Sequence, residues 1–172
     1  DGQEYWQAMN LAGDYASANH HQIHYRMAKA LGEREVARVE NHHNFAWKEK
    51  DADGNELIVH RKGATPAAKG ELGIIPGTMT DPGFIVRGKG NAASLNSASH
   101  GAGRVMSRTR AKTSLDPDIF KKHLKNKGVK LIGGGLDEAP MAYKSIKSVM
   151  DAQQELVDIL GSFLPKIVRM EG

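Results

Sequence analysis

Residues 84–112 read FIVRGKGNAASLNSASHGAGRVMSRTRAK. The stretch opens with a short β-branched and aromatic run at 84–88, which predicts a strand. A segment of small residues follows at 92–99, and the spacing from 101 to 112 predicts the start of a helix. Strand, small-residue turn and helix within 29 residues point to a fold that mixes both element types. The stretch also carries the chemistry. His100 is the one imidazole in a run of Ser, Asn, Ala and Gly, and Arg104 follows it. Small residues let a backbone approach a ligand closely, and successive main-chain N–H groups in glycine turns make concavities for anions. A guanidinium fork matches phosphate oxygens. With a helix beginning near His100, Arg104 falls on the same face one turn on. A neutral imidazole there is a competent nucleophile toward phosphorus. The structural alternative is a polar turn whose histidine bonds the backbone.

Working outward, the chain divides into predicted elements. Residues 3–31 carry Trp6, Met9, Ala16, His20, Ile23, Met27 and Ala30 at three- and four-residue steps, a helical period stopped by Gly32. Residues 34–48 read as extended. The turn DADG at 51–54 and the run ELIVH at 56–60 predict a hairpin. Residues 61–83 are rich in Gly and Pro and read as loops. Asp116 as N-cap, Pro117 in the first turn and Gly128 beyond the end mark a helix. VKLIGGG (129–135) predicts a strand entering a glycine turn, 143–162 a final helix, and KIVRM (166–170) a final strand. We therefore expect one α+β unit over 1–172, a mixed sheet with flanking helices.

Composition narrows the class. At 172 residues the chain is long enough for one domain with a core. There is no cysteine, which excludes disulfides and thiolate metal ligands within it. No apolar run approaches the ~18 residues of a membrane span, and a cytoplasmic setting is the default expectation. Residues 104–130 hold nine Lys and Arg against Asp116 and Asp118 alone. Such a stretch can follow a phosphate backbone, or simply be a solvated lysine-rich face.

Other motifs are weaker. His42 and His43 in ENHHNFAW (40–47) would point to opposite faces of a strand, so they do not readily share one metal. One of them is a candidate ligand, since imidazole suits several transition metals. Arg61 and Lys62 beside Gly63 are candidate phosphate contacts. Pro76 and Gly77 make a turn that exposes backbone donors. Asp137 and Glu138 read as a solvated turn rather than an acid–base pair.

Together HRKGATPA (60–67), IIPGTM (74–79), the 84–112 stretch and GGGLDEAPMAYKSIKSVM (133–150) resemble the RtcB-type RNA-splicing ligases, in the order and spacing of that family's carboxy-terminal half. The resemblance implies a GTP- and Mn²⁺-dependent RNA ligase joining 2′,3′-cyclic phosphate or 3′-phosphate ends to 5′-hydroxyl ends. By motif it makes His100 the guanylylated histidine and His43 a metal ligand. Asn44, Lys62, Pro76, Gly77, Thr78, Met79, Gly83, Gly101, Ala102, Gly103 and Arg104 become nucleotide contacts. The implied partners are RNA (tRNA halves or broken RNA ends), an amino-terminal half carrying the other metal ligands, and an activating protein. The segment by itself is then expected to be inactive. Departures are Gly83 where the family often has Ser, His20 where Arg often follows Asn19, and Glu171 where most members place a nucleotide-contacting Lys. The alternative is a non-catalytic nucleotide- or RNA-binding fragment.

Overall fold

The computed structural model describes residues 1–51 and 53–170. Ala52 of the expected turn and Glu171 lie outside these. Helix α1 spans Gly2–Leu31. The Asp1 side chain accepts from the Gln3 and Glu4 N–H groups, and Gly32 closes the helix at φ 70°, so both expected ends hold. Only Gly13 on this helix is buried. A Cβ there would meet the Phe45 ring at 2.7 Å. Ser17 donates to Glu40 at 2.8 Å, and His21 Nε2 lies 2.7 Å from its other oxygen. Tyr5, Leu11, Tyr15, Tyr25 and Leu31 stay exposed.

Strands β1 (Asn44–Lys50) and β2 (Glu56–Lys62) form the expected hairpin, with Asn44 opposite Lys62. The rest of 34–48 is not strand. Strand β3 (Ala64–Pro66) pairs with β6 (Ser97–Ser99). Strands β4 (Leu72–Ile75), β5 (Gly83–Gly88) and β8 (Val157–Phe163) form a three-stranded antiparallel sheet. Strand β7 (Lys130–Ile132) pairs in parallel with β9 (Ile167–Arg169). The expected single mixed sheet is thus, among the described residues, four small ones. Runs of three to seven residues punctuated by Gly and Pro cannot extend one ladder across the molecule.

Two helices also differ from expectation. Helix α2 is Arg108–Ser114, capped by Ser107, so residues 101–106 are not helical and Arg104 shares no helix face with His100. The final helix, α4, is only Ile146–Asp151, and 157–163 is strand. The periodic stripe is real up to Met150, since Ile146 and Met150 are buried. Beyond it, pairing of Val157 with Gly88 in β5 overrides helix propensity. Helix α3 (Pro117–Lys127) carries the expected Asp116 cap and Gly128 stop.

The main core joins the three-stranded sheet, β3/β6 and α4 through Ala67, Ile75, Val86, Ala98, Ile146, Met150 and Val157. A second packs Phe120 and Leu124 of α3 on Met79 and Ala139.

Arg61 ties these pieces together and is 2% exposed. It forks onto Glu49 at 2.6 and 3.0 Å, donates to Ser97 Oγ at 2.8 Å and to the Leu95 carbonyl at 2.7 Å, and stacks over Trp47. The sequence-level reading of Arg61 as a phosphate contact is therefore corrected: its guanidinium is committed inside the protein. We expect Arg61→Ala to destabilise the protein by about 3 kcal/mol, the cost of orphaning a largely buried charge partner. Arg61→Lys should recover less than half, since an ammonium cannot fork. Urea midpoints check both.

Burial works to raise the Glu40 pKa, but the Ser17 and His21 hydrogen bonds outweigh it and hold the carboxyl below its ordinary 4.5. A depressed carboxyl contributes stability above that value and loses it as pH falls through the folded pKa. Stability of Glu40→Gln should consequently fall less than wild type below pH 4.5, read by denaturation across pH 3–6.

Candidate functional site

The site is built at the open end of the β1/β2 hairpin. The β3/β6 register sets Ala64 opposite Ser99, which brings Gly63 against His100. Gly63 N–H donates to the His43 carbonyl at 3.2 Å, and the His100 N–H reaches the Gly63 carbonyl at 3.5 Å. One glycine at φ +77° thus clasps the backbones of both histidines. Their rings stack at 5.3 Å between centroids and 7° between planes. His42 turns instead to Phe45 at 5.0 Å. Asn44 and Lys62, paired across the hairpin and both exposed, flank His43 and Gly63.

His100 is half-buried, and burial, with a smaller contribution from His43, holds its pKa below the ordinary 6.5. Its ring is neutral at pH 7, with a nitrogen lone pair available to attack.

Two cavities meet the consecutive residues Pro76 and Gly77. One, about 420 Å³, is lined by His20, His24, Glu40, His43, Pro76 and His100 among others. Thr65 also lines it, 1% exposed, and its Oγ1 has no hydrogen-bond partner among the described residues. The second, about 250 Å³, is lined by Gly77, Thr78, Met79, Glu138 and Tyr143 with residues of the β9 end. Thr78 Oγ1 donates to Asp81 at 2.5 Å, and a Cβ on Gly77 would strike the Pro82 carbonyl at 2.4 Å. Gly101 and Ala102 are buried, with Gly101 close to the Pro76 carbonyl. Gly103 takes φ +72°. Gly83 lies under the Phe163 ring, where a Cβ would come within 2.4 Å. It lines neither cavity.

Arg104 runs antiparallel to Tyr143 and donates to the Met106 and Asp137 carbonyls and to the Tyr143 hydroxyl. Glu138 lies 3.5 Å from it and 2.9 Å from Arg108, and accepts from Tyr143. The expectation of a solvated Asp137–Glu138 turn is overturned. These acids fold back onto the basic stretch and offset Arg104, Arg108 and Lys112. The cations left to solvent are chiefly those of α3. Burial, then the Glu138 contact, pushes the Tyr143 hydroxyl pKa up, so it stays protonated and able to donate.

Sequence reasoning missed Thr65, Glu138, Tyr143 and the α1 histidines. Only His20 had a signal, as a departure from the motif. Among the described residues no group of three His, Cys, Asp or Glu converges. Mn²⁺ relies on several donors, and the described residues present no such set; His43 could offer one imidazole to it.

The sequence model of one family, described as tRNA-splicing ligase RtcB, matches residues 1–171. The chain belongs to the RtcB family. RNA-splicing ligase RtcB of Escherichia coli (strain K12) is 45% identical over 131 residues, covering 76% of this chain and 32% of the relative. The tRNA-splicing ligase RtcB of Archaeoglobus fulgidus is 35% identical over 182 residues, covering 88% and 38%. RNA-splicing ligase RtcB homolog 1 of Entamoeba histolytica is 32% identical, covering 90% and 35%. The chain thus spans about a third of the length of these RtcB relatives. No helix among the described residues is long and apolar enough to cross a membrane.

Gly63→Ala should cost about 1–2 kcal/mol, because a Cβ disfavours positive φ, and should loosen the histidine pair. Gly63→Asn should cost less, as asparagine tolerates that region. Thermal melts of the two variants check the order.

Proposed function

We propose that this chain supplies the nucleophile portion of a GTP- and Mn²⁺-dependent RNA ligase that joins 3′-phosphate or 2′,3′-cyclic phosphate ends to 5′-hydroxyl ends. The observation that carries the reading is the neutral, half-buried His100 stacked on His43 at the rim of a cavity. A His100 ring nitrogen attacks the α-phosphorus of GTP. The N–P bond forms as the P–O bond to the leaving pyrophosphate breaks. An oxygen of the RNA 3′-phosphate then displaces the imidazole and takes GMP. The 5′-hydroxyl then attacks the phosphorus of the RNA 3′-phosphate and loses its proton, so that the phosphodiester forms as the bond to the leaving GMP breaks. A cyclic end enters after water opens it to the 3′-phosphate.

In this reading Gly63 holds His100 against His43 and so limits the rotamers from which attack is in line. Pro76, Gly77, Thr78 and Met79, with Gly101, Ala102 and Gly103, form the nucleotide seat between the two cavities. Asn44 and Lys62 reach the phosphates from the hairpin end. Arg104, held by Asp137 and Tyr143, keeps N–H groups to offer a phosphate. Gly83 acts through packing of β5 on β8. Mn²⁺, when bound with His43 as one ligand, offsets charge on the reacting phosphates. Its remaining donors come from outside the described residues, as does any activating protein. The RNA is a tRNA half or a broken strand.

A nucleotide- or RNA-binding role without catalysis is the second reading, favoured by the absence of a three-donor group among the described residues. Incubation of the full-length protein with labelled GTP and Mn²⁺ decides. An acid-labile GMP label is expected on wild type, with at least a ~1,000-fold loss in His100→Ala, as for removal of a covalent nucleophile. Label persisting in that variant sinks the assignment.

A further inference from the structure

The cavity at His100 has a wall that the steps above leave without a task. His20 and His24 stand one turn apart on α1, rings 9° from parallel and centroids 6.3 Å apart. Both line the cavity with His100 and Thr65. The buried Thr65 hydroxyl is without a partner among the described residues. Native proteins rarely leave such a group unpaired, and where they do a catalytic role, a bound ion or an ordered water is among the explanations. Glu40 also lines the cavity, but its oxygens are engaged by Ser17 and His21, so its charge is partly answered.

The remaining groups have one chemistry in common. Each imidazole offers an N–H, and the hydroxyl donates as readily as it accepts. Together they match the several acceptor oxygens of a phosphoryl group. They lie on α1 and β3, away in sequence from 76–79 and 101–104, which the ligase reading gives to the nucleotide. The phosphate that receives GMP must also reach His100. We propose that His20, His24 and Thr65 bind the terminal phosphoryl group of an RNA 3′ end and act as positioning residues beside His100. The proposal rests on the ligase reading for its purpose, but the binding itself can be measured without catalysis.

The test uses full-length protein, free of GTP, and matched oligoribonucleotides ending in 3′-phosphate or 3′-hydroxyl. Wild type is expected to prefer the phosphorylated strand by about tenfold, the scale of a few charge-assisted hydrogen bonds. His20→Asn/His24→Asn should abolish the preference. Thr65→Val, which removes the orphan hydroxyl at nearly constant shape, should reduce it about threefold while leaving Tm equal or higher. In sealing assays the double variant should raise the KM for the 3′-phosphate strand more than it slows GMP labelling. A preference that survives both variants overturns the proposal. So does a loss that falls equally on labelling, which would make these residues part of the nucleotide seat. So does tight binding of Zn²⁺ that the double variant loses while strand preference stays intact. Failure of wild type to take up GMP defeats the ligase reading alone; the phosphate preference and its loss in the variants still decide this one.

Discussion

The buried guanidinium of Arg61 governs how the hairpin, the small β3/β6 sheet and the turn leading to His100 sit together. It reaches from β2 to Glu49 on the neighbouring strand and across to Ser97 and the Leu95 carbonyl. Leu95 and Asn96 both take positive φ, at 51° and 49°, which costs Leu95 about 1–2 kcal/mol and Asn96 less. Charge-assisted bonds to that turn offset the strain and hold the chain in the path that delivers His100. An interior cation of this kind is costly to bury unless its donors are met, and here Nε, Nη1 and Nη2 all find acceptors.

From that anchor the site follows by register. Three residue pairs in β3/β6 suffice to place Gly63 against His100, and one glycine then ties both histidine backbones. The consequence is electrostatic as much as geometric. Burial and the neighbouring His43 imidazole disfavour protonation of His100, which leaves its ring uncharged at neutral pH. The RtcB relatives named above carry RNA or tRNA ligation in their descriptions, and a neutral imidazole lining a cavity of about 420 Å³ is compatible with that chemistry.

The chain's outer surface has a different logic. Helix α1 buries only Gly13, and several large apolar side chains stand in solvent along it. Its grip on the body comes from a close approach at Gly13 and polar contacts at Ser17 and His21. The basic stretch is likewise divided. Its first cations are answered by Asp137 and Glu138, and the lysines of α3 face outward.

Most local signals read correctly, the helix start expected from residue 101 and found at Arg108 being the exception. The Asp116 cap, the Gly32 and Gly128 stops and the hairpin lie where short-range geometry requires them. The family was also legible, because four separate motifs resemble the RtcB ligases in order and spacing. What else failed depended on partners distant in the chain. The stripe after Met150 looked helical, yet residues 157–163 pair with β5 some 70 positions earlier. Arg61 looked like a phosphate ligand beside Lys62 until Glu49 and Ser97 claimed it. Asp137 and Glu138 looked solvated until Arg104 and Arg108 arrived. Caps and turns are set within a few residues, where propensity acts. Strand pairing, charge burial and the assembly of two cavities around Pro76 and Gly77 are set by contacts across the fold, and no local pattern encodes which partner arrives.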